Sequence, residues 1–255
     1  MSKIADIALI STRPEEFNAD LRGTLENSKI EVLSFPLTSI NPLDNYALFD
    51  SQLENLGSYQ HLIFISTNAV HYFVERVKKN KIQLPKKIIL SAIGPSTKKK
   101  LGDFFNVEVH CPQKKFDSEN LTKLTIFDNV DQQNILIVRG IGGREVLKKR
   151  LTNKGANVDY AECYLRQYLK PDMNSIYKAI QNKSKIYFLI TSYESALNFS
   201  NNVNPSESDW LSSTYCIANH ERTGQALKHL FRGVSIAPDL DHTTLEKMLL
   251  DSDIN

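Results

Sequence analysis

The groups in this chain best suited to holding an anion fall together in residues 135–155, ILIVRGIGGREVLKKRLTNKG. Four branched apolar residues run into Arg139-Gly140, then Gly142-Gly143-Arg144, then a helical pattern. A dinucleotide-binding loop needs G-x-G-x-x-G, so that backbone and helix N-terminus can approach a pyrophosphate. Here the third glycine position is Glu145, whose carboxylate would stand in the first helical turn, where the pyrophosphate would lie. No G-x-x-x-x-G-K-[ST] phosphate loop occurs elsewhere in the chain. Two readings of the loop stand: a glycine-softened turn carrying two solvated arginines, or an anion site built from Arg139, Arg144 and helix N-terminal amides.

Small hydroxyls and amides occupy other places where an apolar run gives way to a helical pattern. LIFISTNAV sets Ser66, Thr67 and Asn68 at a helix start, and FLITSYESAL does the same with Thr191, Ser192 and Tyr193. AIGPSTKKKL and CIANHERTGQAL place Thr97 and Thr223 about one turn into their helices. Each could be an ordinary cap, because Ser, Thr and Asn oxygens accept orphan amide bonds. Four such sites at related strand ends would instead aim several donors at one ligand. Strong acids, bases and metals are not what the sequence offers. The six histidines, 61, 71, 110, 220, 229 and 242, make no HxxxH or HExxH, and no GxSxG elbow is present. Cys111, Cys163 and Cys216 are odd in number and far apart, which fits reduced thiols in a cytoplasm better than a disulfide framework or a zinc site.

The elements that would position these residues are legible as compact apolar runs alternating with amphipathic stretches. Strands are predicted at 7–11, 30–35, 62–66, 88–93, 135–138, 158–164, 186–190 and 214–218. FNADLRGTLENS, AVHYFVERVKKN, EVLKKRLTNKG, SALNFSNNV and TGQALKHLF repeat apolar residues at helical spacing. Alternating strands and helices of this kind predict an α/β fold with parallel sheets buried on both faces. An internal repeat runs through the chain at an offset of 126 residues: Arg13 and Arg139, Leu25 and Leu151, Val32 and Val158, Ser66 and Ser192, Phe73 and Phe199, Ala92 and Ala218, Thr97 and Thr223, Leu101 and Leu227. This predicts two similar lobes from a duplication, with a ligand held beyond the C-terminal ends of the strands. A net charge of +2 gives no sign of wholesale binding to nucleic acid or an acidic membrane. The start, MSKIADIALIST, reads as a first strand rather than a signal peptide, and no apolar run approaches the length of a membrane span.

STRPEE (11–16), FISTNAV (64–70), AIGPST (92–97), RGIGGREVLKKRLTNKGANV (139–158), ECYLRQ (162–167), LITSYESALNF (189–199) and ERTGQAL (221–227), in this order, resemble the uroporphyrinogen-III synthase family. The resemblance implies two flavodoxin-like α/β domains joined by a two-stranded linker, PLTSI and CYLRQ. Residues 1–37 plus 167–255 would form one domain and 38–166 the other. It implies a cyclising lyase of heme biosynthesis that closes hydroxymethylbilane, a linear tetrapyrrole bearing acetates and propionates, by loss of water and inversion of the last ring. Tyr164 would hydrogen-bond the leaving hydroxyl. Arg13, Ser66, Thr67, Asn68, Thr97, Arg139, Gly140, Arg144, Ser192, Tyr193 and Thr223 would hold the substrate, with RGIGGR as a carboxylate loop. No cofactor or metal is called for, and the default state is a cytoplasmic monomer. The sequence departs from the family pattern at Lys98-Lys99-Lys100 and at His220 and Phe231, where serine and glycine are expected. A non-catalytic two-lobed protein that binds an anionic small molecule is the alternative, and a Rossmann-type transferase is disfavoured by Glu145.

Overall fold

A computed structural model describes residues 7–143, 145–204 and 208–251. The chain divides into two compact units, one formed by residues 1–39 with 167–255 and the other by 40–166. Each has its own, largely parallel sheet.

In the first unit the strands are β1 (Ile7–Ser11), β2 (Ile30–Ser34), β9 (Lys185–Ile190), β10 (Tyr215–Ala218) and β11 (Gly233–Ile236), arranged β2-β1-β9-β10-β11. Every pairing is parallel. Helices α1 (Ala19–Glu26), α7 (Met173–Ile180), α8 (Tyr193–Asn202), α9 (Glu221–Gln225) and α10 (His242–Leu250) belong to the same unit. Successive strand residues enter opposite cores. Ala8, Ile10, Phe188, Ile190 and Cys216 join one, and Leu9, Tyr187, Leu189 and Ile217 the other. A sheet covered on both sides needs apolar residues at consecutive positions, which is why these strands read as unbroken apolar runs.

The second unit holds β3 (Thr38–Asn41), β4 (His61–Phe64), β5 (Ile89–Ala92), β6 (Val109–His110), β7 (Asn134–Gly140) and β8 (Asn157–Tyr168), in the order β3-β8-β7-β4-β5-β6. Its helices are α2 (Ala47–Glu54), α3 (Thr67–Lys79), α4 (Pro95–Phe105), α5 (Ser118–Leu121) and α6 (Val146–Thr152). Leu62, Phe64, Leu136 and Val138 pack into one core, Ile63, Ile135 and Ile137 into the other. The chain crosses between units within β3 and again within β8.

Apart from β3, the two sheets have the same spatial order. Shifted by 126 residues, β1, β2, β9, β10 and β11 fall on β7, β8, β4, β5 and β6. Counted along its own chain, the first unit has the flavodoxin-like order 2-1-3-4-5, and the second keeps that arrangement with its connections permuted, because each unit takes strands from both halves of the sequence. The repeat residues explain why the register persists. Leu25, Leu151, Phe73, Phe199, Ala92, Ala218, Leu101 and Leu227 are all 0% exposed. The repeat is thus kept first by packing.

All eight predicted strands are present, β1 with both ends as predicted and the others with ends shifted by at most four residues. β6 and β11 go beyond the predicted set. They are short edge strands, half-buried for the most part, so they lack the apolar run that betrays a central strand. The helix expected from TGQALKHLF is correspondingly shorter: α9 ends at Gln225 and the following residues form turns.

Candidate functional site

In the second unit, the C-terminal ends of β4, β7 and β8 bring together Ser66, Gly140 and Tyr164. Ser66 is the N-cap of α3, and its extended backbone lets Oγ accept from the Ala69 amide at 3.0 Å. Thr67 and Asn68 are the first residues of that helix and are half-buried. Tyr164 is 3% exposed, and its hydroxyl lies 3.1 Å from Ser66 Oγ. The ring lies against Gly140, where a methyl would fall 2.6 Å from Tyr164 Cζ. Tyr72 of α3 stacks on the ring, with centroids 5.7 Å apart at 23°. Tyr164 owes its direction to a register shift: Arg139 pairs with Glu162, but Gly140 pairs with Tyr164, which skips Cys163. Strand alternation is thereby broken, so that Ala161, Cys163 and Tyr164 all join the same core.

In the glycine loop after β7, the reading of solvated arginines fails at Arg139. Arg139 is 2% exposed, so it is not solvated. Its Nε donates to Gly140 O at 3.1 Å and lies 4.0 Å from Glu162 Oε1, while Nη1 reaches Glu145 Oε1 at 3.5 Å. The guanidinium sits 4.3 Å above the Tyr160 ring. Glu145 Oε2 in turn accepts from the Tyr160 hydroxyl at 2.9 Å, and burial together with this carboxylate pushes the phenol up to about 12. Gly142 and Gly143 have φ of +76° and +100°, and the Gly142 amide donates to Glu162 at 3.3 Å. A buried cation has to be paired, and here two carboxylates of the protein's own pair it. Arg144 lies outside the described residues.

The first unit repeats the serine cap with a different outcome. Ser192 is the N-cap of α8 and accepts from the Ser195 amide at 3.0 Å, but its hydroxyl proton goes to Ser195 Oγ at 2.7 Å. Tyr193 begins the helix, and the Arg222 guanidinium stacks 3.7 Å above its ring. Arg222 is exposed and is absent from the candidates read from sequence; the signal for it lies in ERTGQAL, beside Thr223. Thr223 and its repeat partner Thr97 are 2% and 3% exposed, buried in the first turns of α9 and α4. Thr223 Oγ1 donates to Asn219 Oδ1 at 3.4 Å. Arg13, at the end of β1, is half-buried and donates through Nη2 to Phe17 O at 2.9 Å; burial lowers its pKa. Its Nε has no hydrogen-bond partner among the described residues. Two of the departures from the family pattern have structural uses. His220 caps α9 by accepting the Arg222 amide on Nδ1 at 3.2 Å, and Phe231 stacks on Phe199 in the core.

Ser66, Gly140, Arg139 and Tyr164 therefore form one cluster in the second unit, and Ser192, Tyr193 and Arg222 another in the first. Among the described residues, no group of three or more His, Cys, Asp or Glu side chains could hold a metal ion. No described helix is long and apolar enough to cross a membrane.

A pair of largely parallel sheets built on a sequence repeat, with hydroxyls and helix N-terminal amides at several strand ends, defines a two-domain α/β class. The sequence matches the family described as uroporphyrinogen-III synthase HemD over residues 19–248, and the chain belongs to that family. It is 26% identical over 163 residues to the uroporphyrinogen-III synthase of Proteus mirabilis, covering 64% of this chain and 82% of that one. With the uroporphyrinogen-III synthase of Escherichia coli K12 it shares 29% identity over 160 residues, 63% of this chain and 65% of that one. A crystal structure of a mutant uroporphyrinogen III synthase from Thermus thermophilus superposes with a TM-score of 0.62, covering 95% of this chain and 97% of that one, at 14% identity. That last likeness is one of fold.

Proposed function

We infer that the substrate of this cyclising lyase of heme biosynthesis is hydroxymethylbilane, which it closes to uroporphyrinogen III with loss of water and inversion of the last pyrrole ring. The observation that carries the reading is the Tyr164 hydroxyl, 3.1 Å from Ser66 Oγ at the N-terminus of α3, on a ring that touches Gly140 and stacks with Tyr72. The reacting pyrrole supplies its own electron push, so the protein has to fold the chain and help a hydroxide depart. A clamped phenol O–H can do the second by donating to the departing oxygen. The first needs donors spread along a polycarboxylate. The amides and side chains of Thr67, Asn68, Ser192 and Tyr193 stand at helix N-termini, which favour anions. Arg13, whose Nε has no partner among the described residues, and the exposed Arg222 are cations of the first unit that would add charge to these donors. Arg139 is assigned a bracing role here, because Glu145 and Glu162 already take up its charge.

We place the protein in the cytoplasm as a monomer, which agrees with three free cysteines, two of them buried with their thiol pKa raised by burial. The test supplies hydroxymethylbilane and resolves the product isomers. Without catalysis the chain closes to the symmetric isomer I. Isomer III should dominate when protein is added, and an I-to-III ratio that does not respond to protein overturns the proposal.

A further inference from the structure

We propose that Ser66 is a positioning residue for Tyr164. It would pass a directed hydrogen bond from the N-terminus of α3 to the phenol and hold the phenolate once its proton is given away. The inference rests on the reading that Tyr164 donates to the leaving hydroxyl.

One lone pair of Ser66 Oγ is committed to the Ala69 amide at 3.0 Å. Between Ser66 Oγ and Tyr164 Oη, at 3.1 Å, either atom can supply the proton. When an acceptor stands beyond Tyr164, the phenol turns its own O–H outward and the Ser66 O–H turns to the phenol oxygen. The chain then runs Ala69 N–H, Ser66 O–H, Tyr164 O–H, leaving oxygen, with every dipole pointing the same way. Such chains polarise one another. This one starts at the positive end of a 13-residue helix.

The duplicated unit shows what Ser66 would do otherwise. Ser192, 126 residues on, makes the same cap but spends its proton on Ser195 Oγ at 2.7 Å. The counterpart of Ser195 in the second unit is Ala69, which has no hydroxyl to take that proton. Alanine at 69 thus leaves the Ser66 proton free for Tyr164, in the one unit that has a tyrosine there to receive it.

The step balances without any outside reagent. The C–O bond of the hydroxymethyl group breaks and its electron pair leaves with the oxygen. That oxygen takes the Tyr164 proton and departs as water, while the pyrrole nitrogen lone pair stabilises the carbon cation left behind. The phenolate, held by the Ser66 O–H, recovers a proton when the cyclised ring sheds one. A charge-assisted bond to the phenolate is stronger than the neutral bond it replaces, so Ser66 acts more on the transition state than on the bound substrate.

The test is a double-mutant cycle with hydroxymethylbilane as substrate. Ser66→Ala should lower kcat by about tenfold or more, the scale of one lost donor to a developing charge, and leave KM nearly unchanged. On a Tyr164→Phe background the same change should cost nothing further, because Ser66 acts only through the phenol. Ser66→Thr keeps both cap and hydroxyl and should recover the rate. Ser66→Asp keeps the cap but has no proton to give when ionised, and should stay slow. Independent, multiplicative losses in the double variant overturn the proposal, as does a Ser66→Ala effect confined to KM, which would make Ser66 a substrate contact. Recovery by Ser66→Asp overturns it too, since the cap alone would then suffice. A Tyr164→Phe variant with undiminished kcat removes the role of Tyr164, and this proposal with it. If wild type itself yields no isomer III, the activity is wrong rather than the relay.

Discussion

At the scale of single residues, Arg139 shows how little an amino-acid type settles by itself. An arginine after a strand and before glycines invites an anion. In the fold it is 2% exposed and bound to Glu145, Glu162 and the Tyr160 ring. Removing its charge would leave two partly exposed carboxylates facing each other across a loop built around the guanidinium. Arg139→Gln should therefore lower folding stability by about 1–3 kcal/mol, the cost of leaving charged partners unsatisfied where water can still reach them. Urea denaturation reads that loss, and KM for hydroxymethylbilane should stay within about twofold in the fraction that remains folded. A large rise in KM with unchanged stability would return Arg139 to the substrate. Arg139→Lys should recover little, because one ammonium cannot satisfy the fork that spans both carboxylates and the Gly140 carbonyl.

At the scale of elements, the helix starts carry the argument, and their serines have two separable duties. Both Ser66 and Ser192 cap a helix by the same backbone geometry and the same 3.0 Å bond. Ser66→Ala and Ser192→Ala should each cost about 1 kcal/mol of stability, the ordinary loss of an N-cap, measurable as similar shifts in urea midpoint. Very different losses would mean that the two caps are not equivalent. Strand β8 offers the complementary lesson. Its register shift opposite Arg139 and Gly140 turns Tyr164 inward beside Cys163. A strand that kept strict alternation would send that phenol to the other face, away from Ser66. The central strands and the helices were legible because apolar runs and helical spacing are local consequences of what each segment buries. β6 and β11 were not, because a short edge strand gains its place from its neighbour rather than from its own composition.

For the whole molecule, stability should fall in two stages on acidification. His61 is 1% exposed, its Nε2 paired with Gln133 at 2.9 Å and its Nδ1 without a partner among the described residues. Burial lowers its pKa, against a smaller raising effect of the Gln133 bond. The unfolded chain therefore takes a proton, near pH 6.5, that the folded chain refuses, and stability drops as pH falls below about 6.5. The second stage comes from capping carboxylates. Asp117 and Asp172 are held low by hydrogen bonds, chiefly from the Asn120 backbone and the Ser175 side chain respectively. Their contribution is present above about pH 4, the unfolded value, and is lost as pH falls through their folded values. Stability measured against pH should show both limbs, and His61→Leu should abolish the first while sparing the second. A first limb that survives in His61→Leu would assign it to another group.

What the sequence alone determined is the architecture and the family. Strand runs, helical spacing and the 126-residue repeat follow from covering both faces of two parallel sheets. The repeat residues Leu25, Leu151, Phe73 and Phe199 are fully buried for that reason. Thr97 and Thr223 kept the register too, as buried residues, so the repeat marked packing at least as strongly as it marked a site. Only the tertiary structure decided which polar groups meet. Tyr164 and Ser66 are 98 residues apart in sequence, and their contact depends on a one-residue shift in β8 and on a bare Gly140 that admits the ring. Arg139 meets Glu162 of the neighbouring strand at 4.0 Å, a pairing that no spacing along the chain reveals. Hydrophobic patterning is written locally because each residue must face its own core. Hydrogen-bond and ion-pair partners are set by register and loop path, which exist only once the strands have paired.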